Sequence, residues 1–72
     1  MDAKTFLEVN GKAEAEAVAK RAGTNYAYFS QIAYGHRKPS ARLAQALVDA
    51  SDGRLDFKQL LLGPAPASQE AA

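Results

Sequence analysis

The sequence predicts an all-α fold, a compact five-helix bundle, on three observations. Alanine, leucine and charged residues dominate up to Leu62. No valine-, isoleucine- or threonine-rich alternation of the kind strands carry interrupts them. Apolar positions also recur at helical spacing between residues that start and stop helices. A chain of 72 residues makes one domain and buries only roughly 60% of the surface its unfolded form exposes, so its core has little to spare. It has no cysteine, which excludes a disulfide framework, a thiolate zinc site and a cysteine nucleophile together.

The elements follow in order. Asp2 can cap a first short helix carrying Phe6 and Leu7, and Asn10-Gly11 is a turn signal that stops it. A second helix covers residues 14–21, with Glu14 and Glu16 near its start and Lys20 and Arg21 near its end, as the helix dipole favours. Gly23 ends it, because a residue without Cβ takes positive φ freely. Asn25 or Thr24 can accept the free amides of a third helix that runs through Tyr26, Phe29 and Ile32 to Tyr34, where Gly35 stops it.

Ser40 caps a fourth helix on which Leu43, Ala44, Leu47 and Val48 share a face, and Asp52-Gly53 closes it. A single-turn fifth helix is signalled by Asp56 with Gln59 three residues on, a capping-box pattern that leads into Leu60 and Leu61. The expected core is Phe6, Leu7, Val18, Phe29, Ile32, Leu43, Leu47, Leu55, Phe57 and Leu60. Leu61 and Leu62 exceed what one helical turn can bury and are candidates for a dimer surface. Residues 1–62 therefore form the domain, and residues 63–72, GPAPASQEAA, are expected to be a disordered tail with nothing to pack.

The net charge of +1 hides a division. Residues 17–48 hold Lys20, Arg21, Arg37, Lys38 and Arg42 and no acid, whereas each flank has four acids against two cations. A basic middle between acidic flanks suggests a face for a polyanion. No apolar run reaches the ~18 residues a membrane span needs, and the first ten residues lack the basic start and apolar stretch of a signal peptide; a cytoplasmic protein is expected.

Two helices crossing over a tight turn need an apolar framework placed relative to one small turn residue. Counted from Gly23, Val18 lies five before, Ala19 four before, Ala22 one before, Phe29 six after and Ile32 nine after. This spacing predicts a helix-turn-helix from the second and third helices. Ala19 is small where the third helix crosses. Tyr26, Ala27, Ser30, Gln31 and Tyr34 are then left for the outer face of the third helix.

At these residues the run AVAKRAGTNYAYFSQIAYGHRKPSARLAQAL resembles the Cro and repressor family of phage helix-turn-helix proteins, including small Cro-like and YdaS-like prophage regulators. The resemblance spans about residues 3–61, and YFSQIAYGHRKPS carries most of it. It implies a lambda-repressor-like five-helix bundle that acts as a homodimer on a partly palindromic operator, with the third helix in the major groove. It also implies a transcription regulator on the nucleoid of a bacterial host. The chain departs from the family at Ala15, where a glutamine, serine or threonine commonly meets a phosphate, and at Thr24, where a buried aliphatic residue is usual.

On that face Gln31 can form a bidentate pair with adenine N6 and N7 and is the main candidate for base readout. Ser30 can bond several base edges, Ala27 can pack on a thymine methyl, and Tyr26 completes the base-contacting set. Asn25, Tyr28, Tyr34, Arg37, Lys38 and Arg42 are the candidates for phosphate contacts. Tyr28 and Tyr34 can instead pack at the domain edge with a wet hydroxyl. His36 has no partner ligand, so no metal site is expected, and no cofactor or small-molecule substrate either.

An enzyme is disfavoured, since the chain has one histidine, no glycine-rich phosphate loop and no convergent acid pair. The rival class is a protein-interaction module or antitoxin that keeps the helix-turn-helix scaffold without operator specificity of its own. A pure adaptor needs no acid-free basic stretch beside Gln31, which separates the two.

Overall fold

The computed structural model of the chain describes residues 1–63, so residues 64–72 of the expected tail lie outside the described residues. The described residues form four helices and no strand: α1 (Ala3–Arg21), α2 (Tyr26–Ala33), α3 (Ala41–Ala50) and α4 (Phe57–Leu62). α1 packs against α2 and α3, and α3 against α4.

Where the sequence predicts two helices separated by a turn, α1 runs on across a kink at Gly11, whose φ of 89° and ψ of 168° are not helical. Those angles lie in a region open essentially to glycine alone. The chain therefore changes direction within one residue, without a loop. Asn10 Nδ2 donates to the Phe6 carbonyl at 3.3 Å, satisfying one acceptor beside the break.

Each helix begins at a residue whose side chain accepts an orphan amide. Asp2 takes Thr5 N–H at 2.7 Å, Asn25 takes Tyr28 N–H at 2.8 Å, Ser40 takes Leu43 N–H at 3.1 Å and Asp56 takes Gln59 N–H at 2.9 Å. The reciprocal half of the expected capping box is not made by Gln59, because the Asp56 N–H donates to the Met1 carbonyl at 3.0 Å. The chain start is thereby laid against residues 54–56, and the Met1 ammonium donates to the Arg54 carbonyl at 3.1 Å.

The core joins Phe6, Val18, Ala19, Phe29, Ile32, Leu47, Leu55 and Leu60 with Ala3, Ala15, Ala33 and Ala44. Leu7 and Leu43 pack on its edge, partly buried. Phe57, expected inside, is 37% exposed. It is the first residue after the Asp56 cap of a six-residue helix, and Leu60 fills the inward position of that single turn. Leu61 is partly buried, while Leu62 stays 68% exposed. Ala15 is fully buried as a core alanine.

Ser51 is enclosed with this core. Ser51 Oγ donates to the Val48 carbonyl and accepts from Leu55 N–H, both at 3.0 Å, so its burial leaves no hydrogen bond unmade.

Arg54 closes the side of the bundle. Its Nη2 donates to Glu14 Oε2 at 2.6 Å, its Nε donates to the Ser51 carbonyl at 2.8 Å, and its guanidinium carbon lies 5.0 Å from the Phe6 ring centre. The Arg54 hydrogen bond holds the Glu14 carboxyl below its ordinary value of 4.5, against partial desolvation and with help from the charges of Arg54 and Arg21. A carboxyl lowered on folding contributes stability that is present above its unfolded value and lost as pH falls through the folded one. The melting-temperature difference between wild type and Glu14→Gln is therefore expected to hold near neutral pH and to shrink below pH 4.5. A difference independent of pH would remove Glu14 from the ion pair.

Candidate nucleic-acid interface

The exposed side of α2 is set by its buried side. Phe29, Ile32 and Ala33 turn into the core, and Tyr26 and Tyr28 pack along its edges. With about 100° between successive residues, Ala27, Gln31 and Tyr34 then share one outward stripe, and all three are exposed. Ser30 lies beside that stripe, partly buried. Side chains on this stripe are small or hydrogen-bonding, so a flat, polar partner can approach the helix closely.

The turn that presents α2 follows from Gly23, whose φ is 90°. Gly23 N–H donates to the Lys20 carbonyl at 3.0 Å and Thr24 N–H to the Ala19 carbonyl at 2.9 Å, the paired bonds of a Schellman motif. Asn25 follows, exposed, with its side chain already engaged as the cap. The same motif recurs after α2, where Gly35 N–H donates to the Ile32 carbonyl at 3.2 Å and His36 N–H to the Gln31 carbonyl at 2.8 Å. This second reversal sends residues 36–38 back past the end of the stripe.

A cation lies over each flanking tyrosine. Lys12 Nζ is 5.1 Å from the Tyr26 ring centre and the Arg37 guanidinium carbon is 5.8 Å from that of Tyr28. Tyr26 and Tyr28 precede and follow Ala27, so these two pairs lie on either side of the stripe. Arg37, Lys38 and Arg42 are all exposed, with Pro39 buried between the loop and Ser40 capping the helix on which Arg42 stands. Asp49, the acid of α3, is about 10 Å along the helix from Arg42 and accepts from Gln45 Nε2 at 3.0 Å.

Three placements differ from what the chain's linear order suggests. Arg21 is not part of the basic face, since its Nε and Nη2 donate to the Ala50 carbonyl at 3.1 and 2.9 Å and tie α1 to the end of α3. Lys12 joins the face from the acidic flank, although its neighbours in sequence give no sign of it. Arg37 and Gln31, assigned separately to phosphate and base, touch each other: Arg37 Nε donates to Gln31 Oε1 at 2.8 Å. The intervening Gly35 was the available cue for that contact. Among the described residues no group of three or more His, Cys, Asp or Glu side chains is placed to hold a metal ion, and no helix is long and apolar enough to cross a membrane.

No family model, no curated protein and no solved structure matches the chain.

Proposed function

We propose that this chain is a sequence-specific DNA-binding transcriptional regulator of the phage or prophage repressor kind, acting in the cytoplasm of a bacterial host. In this reading α1 beyond Gly11 and α2 form a helix-turn-helix about Gly23. The described residues form four helices, α1 being kinked at Gly11. A homodimer binds the two halves of a partly palindromic operator, because one recognition helix spans too few base pairs for operator-level specificity.

The observation that carries the proposal is the exposed Ala27, Gln31 and Tyr34 stripe framed by two aromatic-cation pairs, with Arg37, Lys38 and Arg42 exposed beside it. Cations at the edges of a groove-width helix neutralise phosphates, and small or amide side chains at its centre reach base edges. Tyr34 is 53% exposed and can carry its hydroxyl to a phosphate.

Selection of bound sites from random duplex DNA identifies the operator. On that operator, Gln31→Ala is expected to cost about 1–3 kcal/mol per half-site and to relax the preference at one base pair. Its affinity for random DNA and the slope of log affinity against log salt should stay near the wild-type values, because no phosphate contact is lost. A Gln31→Ala protein that keeps full sequence preference would take α2 out of the groove and favour the protein-interaction module.

A further inference from the structure

We propose that Arg37 sets which base Gln31 reads: by occupying the amide oxygen it turns the pair into a row of donors that selects guanine in place of adenine. The proposal rests on the DNA-binding reading above and assigns the specificity of the same face.

The geometry begins in the main chain. The Gln31 carbonyl accepts from both His36 N–H at 2.8 Å and Arg37 N–H at 3.2 Å, so the reversal at Gly35 brings residue 37 back over the last turn of α2. From there the guanidinium is held in two directions, by its Nε–H bond to Gln31 Oε1 at 2.8 Å and by the Tyr28 ring. Both side chains remain exposed, so the pair stands ready on the surface. The reverse orientation of the amide would set Nε2, a donor, against the Arg37 Nε–H, also a donor. The arginine therefore fixes which end of the amide faces inward.

The consequence is a change in hydrogen-bonding character. A free glutamine amide offers one acceptor and one donor group, which matches the N6 amino group and N7 of adenine. With Oε1 bonded to a cation, what remains to face a base is the Gln31 Nε2 pair of N–H groups and the Arg37 Nη groups. Guanine presents two acceptors, O6 and N7, in the major groove. An adenine amino group would have to approach the one remaining lone pair of Oε1 directly beside the guanidinium charge. The donor row accepts guanine and repels adenine.

The test is selection from random duplex DNA followed by titration of guanine and adenine versions of the selected site. Proteins compared are wild type, Gln31→Ala, Arg37→Ala and Lys38→Ala, each with its melting temperature matched to wild type. Wild type should enrich guanine at one position per half-site, and Gln31→Ala should lose that enrichment. Arg37→Ala frees Oε1, so the same position should switch to adenine, with the guanine-to-adenine affinity ratio changing on the order of tenfold. Lys38→Ala removes a neighbouring charge without touching Gln31, and should weaken all sequences alike with guanine still preferred. If Arg37→Ala behaves as Lys38→Ala does, or if wild type enriches adenine at the position lost with Gln31→Ala, the proposal is overturned while DNA recognition by α2 stands. If wild type enriches no sequence, both fall together.

Discussion

Phe29→Ala is expected to leave most of the chain unfolded at room temperature. The side chain is fully buried where α2 meets α1, and its ring stands edge-on to that of Phe6 with centres 6.1 Å apart and an interplanar angle of 61°. Truncating a buried phenylalanine costs about 3–5 kcal/mol, including the cavity it leaves. The single core of a domain of about this length rarely supplies more than about 3–5 kcal/mol, and this chain has no cysteine with which to supplement its core. The loss is thus comparable with the whole. Circular dichroism melts and urea titrations check it, and a melting temperature within a few degrees of wild type would mean that the ring is not where the two helices meet.

Gly23→Val is expected to lower stability by about 1–3 kcal/mol and, on the proposed function, to weaken DNA binding with it. The cause is confined to the backbone: a Cβ built at Gly23 meets nothing within 4 Å, so the substitution brings no collision with a neighbouring side chain. What it brings is a φ of 90° that side-chain-bearing residues rarely adopt. A β-branched residue tolerates that least, whereas asparagine visits the left-handed region more readily. Stability should therefore fall in the order glycine, asparagine, alanine, valine at this position. Denaturant titration of the series measures it. A valine variant as stable as wild type would show that the turn forms equally well without positive φ, and would dissociate the α1–α2 angle from Gly23.

The two substitutions separate two ways in which the exposed face of α2 is built. Phe29 decides whether α2 is held against the rest of the molecule, and Gly23 decides the conformation of the turn through which it is reached. Loss of either moves Gln31, Tyr34 and Arg37 together, since all three depend on the position of one eight-residue helix. A change at Gln31 alone leaves that scaffold in place, which is why, on the proposed function, its expected effect is on sequence preference.

Much of the fold is legible in the linear order of residues because its determinants are local. Asp2, Asn25, Ser40 and Asp56 each bond the amide three residues on, and the spacing is set by helix geometry itself. Gly23 and Gly35 end helices through bonds that reach back no more than six residues. The outward stripe of α2 follows from the helical period once Phe29 and Ile32 are assigned inward. The order of residues alone is therefore enough to place Ala27, Gln31 and Tyr34 on the outer face, but not to show that Tyr26 and Ser30, assigned to the same face, are partly buried.

Contacts between distant segments were not legible. Whether Asn10-Gly11 separates a pair of helices or bends a single one depended on how both halves met the core, and Phe57 was placed outside by the shortness of the helix it begins. Arg21 was removed from the basic face by the Ala50 carbonyl, 29 residues away, and Lys12 was brought to that face by Tyr26. The amino-acid sequence by itself determined the helical class, the caps at Asp2, Ser40 and Asp56, and the exposure of Ala27, Gln31 and Tyr34, because each depends on neighbours within about two turns. Only the tertiary structure decided which cations stand at the face; the Arg37–Gln31 bond spans six residues, but which partner the Arg37 side chain takes was not fixed by the local pattern. Those outcomes depend on where long, flexible side chains find partners, and many alternative partners are equally compatible with the same local pattern.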